Sequence, residues 1–414
     1  MRRRVWLLLG ALAVVVVGVV GCGGSGSSGG RATLNLWVFN EPSGAFKDAV
    51  KSCSAASGGR YQIVYNALSN DADQQRQSLV RRLAAKDSSI DIAGMDVVWT
   101  AEFAEAKWIK PWPAAIAARV KKGTLAGPLA TATYKGRLYA APANTNTQLL
   151  WYRKDLVPNP ASTWDELITQ ASKMKKAGKI EIQGAQYEGT TVWFNSLVQS
   201  AGGTIVENNK VTLGAPGLKA AQIMRRLGTS PAADPSLSAQ KEDQSRIAFE
   251  SGAAAFEINY PFIYPSAKTT VPKIFKELAW KPYPAVEAGK PAKAPIGGIN
   301  WGVGGYTKHP AEAFAAAACL RNEKNQRVAA VKGGLPPTLA SLYDNPGFVK
   351  QYPFAALIRK QVNSGAVRPQ TAAYADVSLA ISKTVSPASR IQLNGFVKSL
   401  RSKLSDALDS KGLF

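Results

Sequence analysis

The sequence predicts an α/β fold, on three observations. Strand and helix signals alternate along the first hundred residues. Residues 90–98 are apolar at most positions, the mark of a strand covered on both faces. Hydrophobic residues make up 46% and charged residues 19% of the 414-residue chain, so it buries a core and is not a disordered polymer.

Residues 33–39 alternate, with Leu34, Leu36 and Val38 on one side, and form a strand. Asn40-Glu41-Pro42-Ser43-Gly44 is a loop, and 45–56 a helix closed by Gly58-Gly59. Residues 61–65 are a second strand; 74–86 are an amphipathic helix with Leu79, Val80 and Leu83 inward. The buried strand 90–98 carries Asp96 near its end, just before Trp99. This order implies a parallel sheet with helices on its faces. Residues 136–142 are a short strand, Asn144 to Asn146 a polar linker, and 148–152 an apolar strand. Thr163 and Glu166 form a capping box that opens a helix closed by Gly178. Helices follow over 192–200, 217–227 and 242–251, and a strand over 253–258 runs into Asn259-Tyr260-Pro261-Phe262. Residues 282–295 are a Pro-, Lys- and Ala-rich loop, 296–303 a glycine-containing strand and 311–320 an Ala-rich helix. Gly333-Gly334-Leu335-Pro336-Pro337 is a turn, and the chain beyond Pro353 is helical, interrupted near Pro369 and Pro387.

The chain opens with Arg2, Arg3 and Arg4, an apolar run over 5–20, then Val19-Val20-Gly21-Cys22 and a Gly/Ser spacer over 23–30. That pattern is an export signal over 1–21, with Cys22 as the lipid-bearing first residue of a mature lipoprotein. The apolar run is short for a membrane span and contains Gly10 and Gly18, which disfavours an uncleaved anchor. An eight-residue coil reaches roughly 16 Å, so the folded part stays near the extracytoplasmic face of the membrane. About 385 residues remain, enough for two domains.

The net charge of +23 raises nucleic acid as a partner. The compartment and the scatter of the Lys and Arg argue against it, and a basic surface beside anionic headgroups is the milder explanation. A single histidine, His309, removes Ser-His-Asp and Cys-His catalysis unless it serves itself, and leaves no His/Cys metal centre. No cofactor is expected. Cys53 and Cys319 lie on predicted helices in a compartment that tolerates disulfides, and a bridge is favoured over two buried thiols.

Dispersed marks then resemble one family. They are Leu138-Tyr139-Ala140-Ala141-Pro142, Leu150-Trp151-Tyr152-Arg153-Lys154-Asp155-Leu156, Thr163-Trp164-Asp165-Glu166-Leu167, Ser200-Ala201-Gly202-Gly203, residues 249–256, and Ile296-Gly297-Gly298. In this order and spacing the chain resembles the extracellular solute-binding lipoproteins of sugar ABC importers. Residues 96–106, 145–153 and 333–336 are most similar to the trehalose-binding members of actinobacteria, which also have counterparts of Cys53 and Cys319. The chain departs from those members in a shorter segment between Pro265 and Pro282 and in Tyr260, which stands in place of Trp.

The resemblance implies a two-lobed periplasmic-binding-protein-like fold with hinge crossings. The N-terminal lobe would hold 31–143 and 294–335, and the C-terminal lobe 147–293 and 336–414. It implies a monomer that binds a disaccharide between the lobes, closes, and docks on a permease with ATPase subunits; no bond is made or broken. Sugar hydroxyls need planar polar partners and sugar faces need aromatic rings. Asn40 and Glu41 follow the first strand, Asp96 ends a buried one, and Gly298 permits close backbone approach. By resemblance Asp96, Asn146, Glu242, Asn259, Tyr260 and Arg368 take ligand-contacting positions. Asp96, Glu242 and Arg368 would bind hydroxyls and Tyr260 would stack; Trp99 and Trp193 are further candidates for stacking, with the core preferred for both. Other readings are a maltose-type or glycerophospho ligand, or a secreted glycosidase using Asp96 and Glu242 as its carboxylate pair.

Overall fold

The computed structural model describes residues 30–409. The signal, Cys22 and most of the tether lie outside the described residues. The strands that build the site are β1 (Ala32–Phe39), β2 (Tyr61–Leu68), β3 (Ile92–Asp96), β4 (Ala140–Asn146), β5 (Leu149–Arg153), β6 (Ile180–Glu181), β7 (Phe256–Asn259), β8 (Leu278–Lys281) and β9 (Gly297–Val303). They form two main sheets, one ordered β2-β1-β3-β9-β4 and the other β8-β5-β7-β6.

The helices packed on them include α1 (Ala45–Ala56), α2 (Ala72–Ala84), α3 (Trp164–Lys173), α4 (Glu188–Ser200), α5 (Ala215–Thr229), α6 (Glu242–Glu250), α7 (Pro310–Leu320), α8 (Glu323–Gly333), α9 (Ala355–Ser364), α10 (Tyr374–Val385) and α11 (Phe396–Asp409). The molecule is an α/β protein of two lobes, each built on one sheet. We call the lobe of the first sheet N-terminal and that of the second C-terminal.

The first sheet begins as the alternation predicts. Leu34, Leu36 and Val38 are fully buried, and β1 runs parallel to both β2 and β3. It is not parallel throughout: β9 returns from the other lobe and lies antiparallel between β3 and β4. The interior is tight where the strands meet. A Cβ on Gly94 would lie 2.4 Å from Val38 Cγ2 and 2.9 Å from the ring of Trp301. The second sheet is mixed, with β7 antiparallel to β5 and parallel to β6. Trp164, Trp193 and Phe194 pack on one side of it, and Trp151, Phe348 and Phe354 form a separate apolar cluster.

Local signals locate most boundaries, and the departures have physical causes. The strand expected over 90–98 stops at Asp96, whose carboxylate accepts a hydrogen bond from the Val98 N–H and turns the chain into a short 3-10 turn. The helix expected to reach Lys86 ends at Ala84, because Lys86 takes a left-handed conformation at φ 59°. Asn144 to Asn146 are not a linker but the end of β4, paired with Gly297 to Ile299. Helix α4 starts at Glu188, four residues before the expected start, through a polar first turn that is buried. Helix α8, capped by Asn322, is weakly amphipathic and carries little periodic signal. Thr163 caps α3 as expected, accepting from the Glu166 N–H, but the Glu166 carboxylate takes the Thr163 hydroxyl instead of the backbone N–H of a capping box.

Cys53 of α1 and Cys319 of α7 are bridged, with Cα atoms 5.8 Å apart. The chain leaves the first sheet at Asn146 and enters the second at Leu149, returns at Gly297, and passes again after Leu335. These passages touch one another: the Thr145 N–H donates to the Pro336 carbonyl at 2.9 Å, and Pro295 pairs with Ala366.

Candidate ligand-binding cleft

Strand ends and helix starts from both lobes converge at one place. From the N-terminal lobe come the ends of β3 and β4 and the start of α2. From the C-terminal lobe come the starts of α4 and α6, the end of β7, and the segment before α10. A helix N-terminus presents unpaired N–H groups and partial positive charge, and strand ends present side chains on loops.

Arg368 is the centre of this arrangement. Its side chain is 3% exposed. Nη2 donates to Asp96 Oδ1 at 2.8 Å, across the cleft, and Nη1 donates to Glu188 Oε1 at 2.5 Å, within the C-terminal lobe. Its Nε is buried without a partner. Burial opposes its charge, but Asp96, Tyr374 and Glu188 hold its pKa well above the ordinary value. Glu188 also accepts from the Tyr374 and Ser378 hydroxyls, each at 2.5 Å. Burial pushes the Glu188 carboxyl up, and Arg368 pulls it part of the way back.

Glu242 opens α6, half-buried, and burial raises its pKa against its own backbone N–H and the Tyr187 hydroxyl. Tyr260 is half-buried; burial first, then the charge of Glu242, raises its phenol well above the usual range. Arg368, Asp96 and Glu188 also act on that phenol, so these groups share one electrostatic neighbourhood. Asn146 is half-buried at the end of β4, its Oδ1 accepting from the Thr147 N–H. Gly297 lies between it and Arg368: a Cβ there would be 3.5 Å from Asn146 Cβ and 3.9 Å from Arg368 Nη2. Gly298 is required by the backbone. Its φ is +127°, and a Cβ would fall 2.3 Å from the Asn144 carbonyl.

Asp96, Asn146, Glu242, Tyr260, Gly298 and Arg368 therefore gather where the lobes meet. The other three candidates have different surroundings. Asn40 is exposed at the end of β1. Glu41 is 4% exposed and caps the start of α1, its carboxylate accepting from the N–H groups of Ser43 and Ala45 at 2.8 Å. Asn259 is fully buried with its amide spent inside the lobe: Nδ2 faces Glu242 O, Ser245 Oγ and Glu257 Oε1, and Oδ1 accepts from the Tyr260 N–H. Asn259 holds Tyr260 in place instead of facing the cleft. Trp193 is in the core against Trp164, whereas Trp99, 5% exposed and stacked on Phe103, also walls a cavity.

Sequence reasoning missed Glu188, Tyr374 and Lys241. Lys241 caps α6 and pairs with Asp71, the N-cap of α2, so the starts of two helices from opposite lobes are tied together. Glu188 sits in the polar first turn of α4, among Gly189, Thr190 and Thr191, where no periodic signal singles it out. A cavity of about 560 Å³ opens beside the cluster between α2 and α10, walled by Asp73, Arg76, Trp99, Gln186, Glu188 and Tyr374 among others. Its size suits a small ligand. A larger open groove of about 800 Å³ beside α3, from Leu156 to Arg226, shares no residue with the cluster.

Residues 57–327 match the family described as bacterial extracellular solute-binding protein. The chain belongs to that family. A probable ABC transporter-binding protein of Deinococcus radiodurans is 29% identical over 76% of this chain and 79% of its own length. The maltose-bound MalE3 of T. maritima superposes with a TM-score of 0.84 at 23% identity, covering 91% of this chain and all of that one. The GacH receptor of Streptomyces glaucescens, solved unliganded and with acarbose, gives 0.78 at 21% identity, over 92% and 98%. These likenesses establish the two-lobed binding-protein fold, and the family places its work outside the cytoplasm, in binding a solute.

Proposed function

We propose that the protein is the extracytoplasmic substrate-binding lipoprotein of an ABC importer. It captures a neutral disaccharide, trehalose before others, and closure of the loaded lobes presents it to the permease and its ATPase subunits. The observation that carries this reading is the Arg368 bridge, in which one planar guanidinium joins Asp96 of one lobe to Glu188 of the other. Fixed carboxylates and a guanidinium recognise hydroxyl pairs, and the Tyr260 ring offers a face for a sugar ring. Acid outnumbers base: Asp96, Glu188 and Glu242 stand against Arg368 and Lys241, leaving no cationic surplus for a glycerophospho ligand. Asp96 is ion-paired, which disfavours the glycosidase reading. Trehalose is preferred because the residues around Asp96, Asn146 and Gly333 resemble trehalose-binding lipoproteins. A maltose-type ligand is the second reading, favoured by maltose and acarbose in the two structural neighbours. Acylation at Cys22 supplies the anchor.

Calorimetric titration of the purified mature protein with trehalose, maltose and sucrose tests the reading, repeated on Asp96→Ala. One-to-one trehalose binding, lost in the variant, is the expected result. Binding of maltose alone moves the assignment to the second reading. Silence toward all three overturns the disaccharide. A mature N-terminus without acyl chains on Cys22, read by mass spectrometry, overturns the anchor.

A further inference from the structure

Beneath Tyr260 the C-terminal lobe holds carboxylates that ligand capture does not use. Glu257 and Glu181 are both fully buried and are register partners across the parallel pair β7–β6. Paired strands lie about 4.8 Å apart, so the two side chains stand side by side on one face. One oxygen of each is held: Asn259 Nδ2 donates to Glu257 Oε1 at 2.7 Å, and Gln240 Nε2 donates to Glu181 Oε2 at 2.5 Å. The other oxygen of each, Glu257 Oε2 and Glu181 Oε1, is buried without a partner.

The nearby cations among the described residues, Arg246 and Lys179, favour the charged carboxylates but are bound to other partners. Arg246 of α6 is engaged by Glu250 at 2.7 Å and Asp243 at 3.3 Å. Lys179, at the start of β6, donates to the carbonyls of Pro231 and Ala233. Glu250 and Asp234 add negative charge. Two ionised carboxylates at this spacing in a dry interior repel each other, and a proton on the pair removes most of the cost. Burial accordingly raises Glu257 well above the usual carboxylate range, with Glu181 and Glu250 adding to it, and burial pushes Glu181 up to about 7.

Asn259 connects the pair to the cleft. The Nδ2 that meets Glu257 also donates to the Glu242 carbonyl at 3.0 Å and to Ser245 Oγ at 3.1 Å, while its Oδ1 receives the Tyr260 N–H at 2.8 Å. The backbone of two cleft residues is therefore hung on one amide whose orientation Glu257 sets.

We propose that Glu257 is a positioning residue for the ligand cleft, acting through Asn259 on Tyr260 and Glu242, and that a proton held on Glu257, beside Glu181, makes capture of an uncharged sugar depend on pH. This role rests on the sugar reading of the cleft. Loss of the proton places charge between β6, β7 and α6. These elements separate to hydrate it, and Tyr260 and Glu242 lose their alignment. The sign follows from the direction of the shifts. The raised pKa means that the aligned state holds the proton, so affinity is full at acidic pH and falls as pH rises from the ordinary carboxylate range toward the raised Glu257 value.

Trehalose and maltose affinities of the full mature protein, measured from pH 5 to 9, test this against Glu257→Gln, Glu181→Gln and Glu257→Ala. The wild type is expected to lose up to about tenfold in affinity per pH unit across the window between the ordinary carboxylate range and the raised Glu257 value, the limit for one linked proton, and to level off above it. Glu257→Gln keeps an acceptor for Asn259 without a titrating proton, and its profile is expected to fall less steeply than the wild type's, with Glu181 alone left to titrate. Glu257→Ala frees Asn259 and is expected to weaken binding at every pH. Sugar binding with a flat wild-type profile, or a Glu257→Gln profile as steep as the wild type's, overturns this inference and leaves the sugar reading intact. No sugar binding at any pH overturns both.

Discussion

In the N-terminal lobe a disulfide joins α1 to α7, and β9 is clamped between β3 and β4. The C-terminal lobe has no cross-link among the described residues, and it buries Glu181, Glu188, Glu250 and Glu257, several with an unpartnered oxygen. Buried polar groups left half-satisfied cost stability, so they persist where a job needs them. The comparison teaches a division of labour. One lobe is a stapled platform that presents Asp96 at a strand end, and the other holds the adjustable polar network that meets it. Arg368 is where the two designs touch.

Breaking that junction is expected to have the largest effect. Arg368→Met leaves Glu188 and Asp96 without their cation, and removal of one partner from a buried ion pair costs about 3–5 kcal/mol. Urea unfolding should show a loss of that size, and the double variant Arg368→Met with Glu188→Met should regain part of it. A double variant no more stable than the single one would mean that Glu188 is satisfied by Tyr374 and Ser378 alone.

The staple comes next. Replacing Cys53 and Cys319 together by Ser opens a link spanning 266 residues, and loss of such a native disulfide costs roughly 2–5 kcal/mol. Hydrogen exchange should then rise first in α1 and α7 while the C-terminal lobe keeps its protection. Equal loss in both lobes would contradict the division between them.

Gly298→Ala tests the backbone of the platform. The left-handed φ and the clash with the Asn144 carbonyl should cost roughly 1–3 kcal/mol, read by chemical denaturation, together with weaker ligand binding. The smallest effect is expected at the outer tie. Lys241 and Asp71 are partly exposed, so Lys241→Ala should change closure by at most about 1 kcal/mol, seen as a larger radius of gyration in solution scattering and a few-fold lower affinity. A larger change would make this pair, and not Arg368, the main latch.

The residues alone determined what short-range physics encodes. Alternation in β1, the amphipathic stripe of α2 with Leu79, Val80 and Leu83, and the Thr163 cap are readable because each involves neighbours within a few positions. The α/β class follows from their order, and Asp96 stood out because a carboxylate ending a buried strand must find a partner. Tertiary structure alone decided the rest. Asp96 and Arg368 are 272 positions apart, and no period links them. Nothing local shows that β9 enters the first sheet antiparallel, that Glu188 is buried beneath Arg368, or that Glu41 and Asn259 spend their polar atoms on neighbouring groups of their own lobes. Those outcomes depend on which groups the folded chain brings within hydrogen-bond reach, and a buried polar atom is committed to whatever partner it meets there.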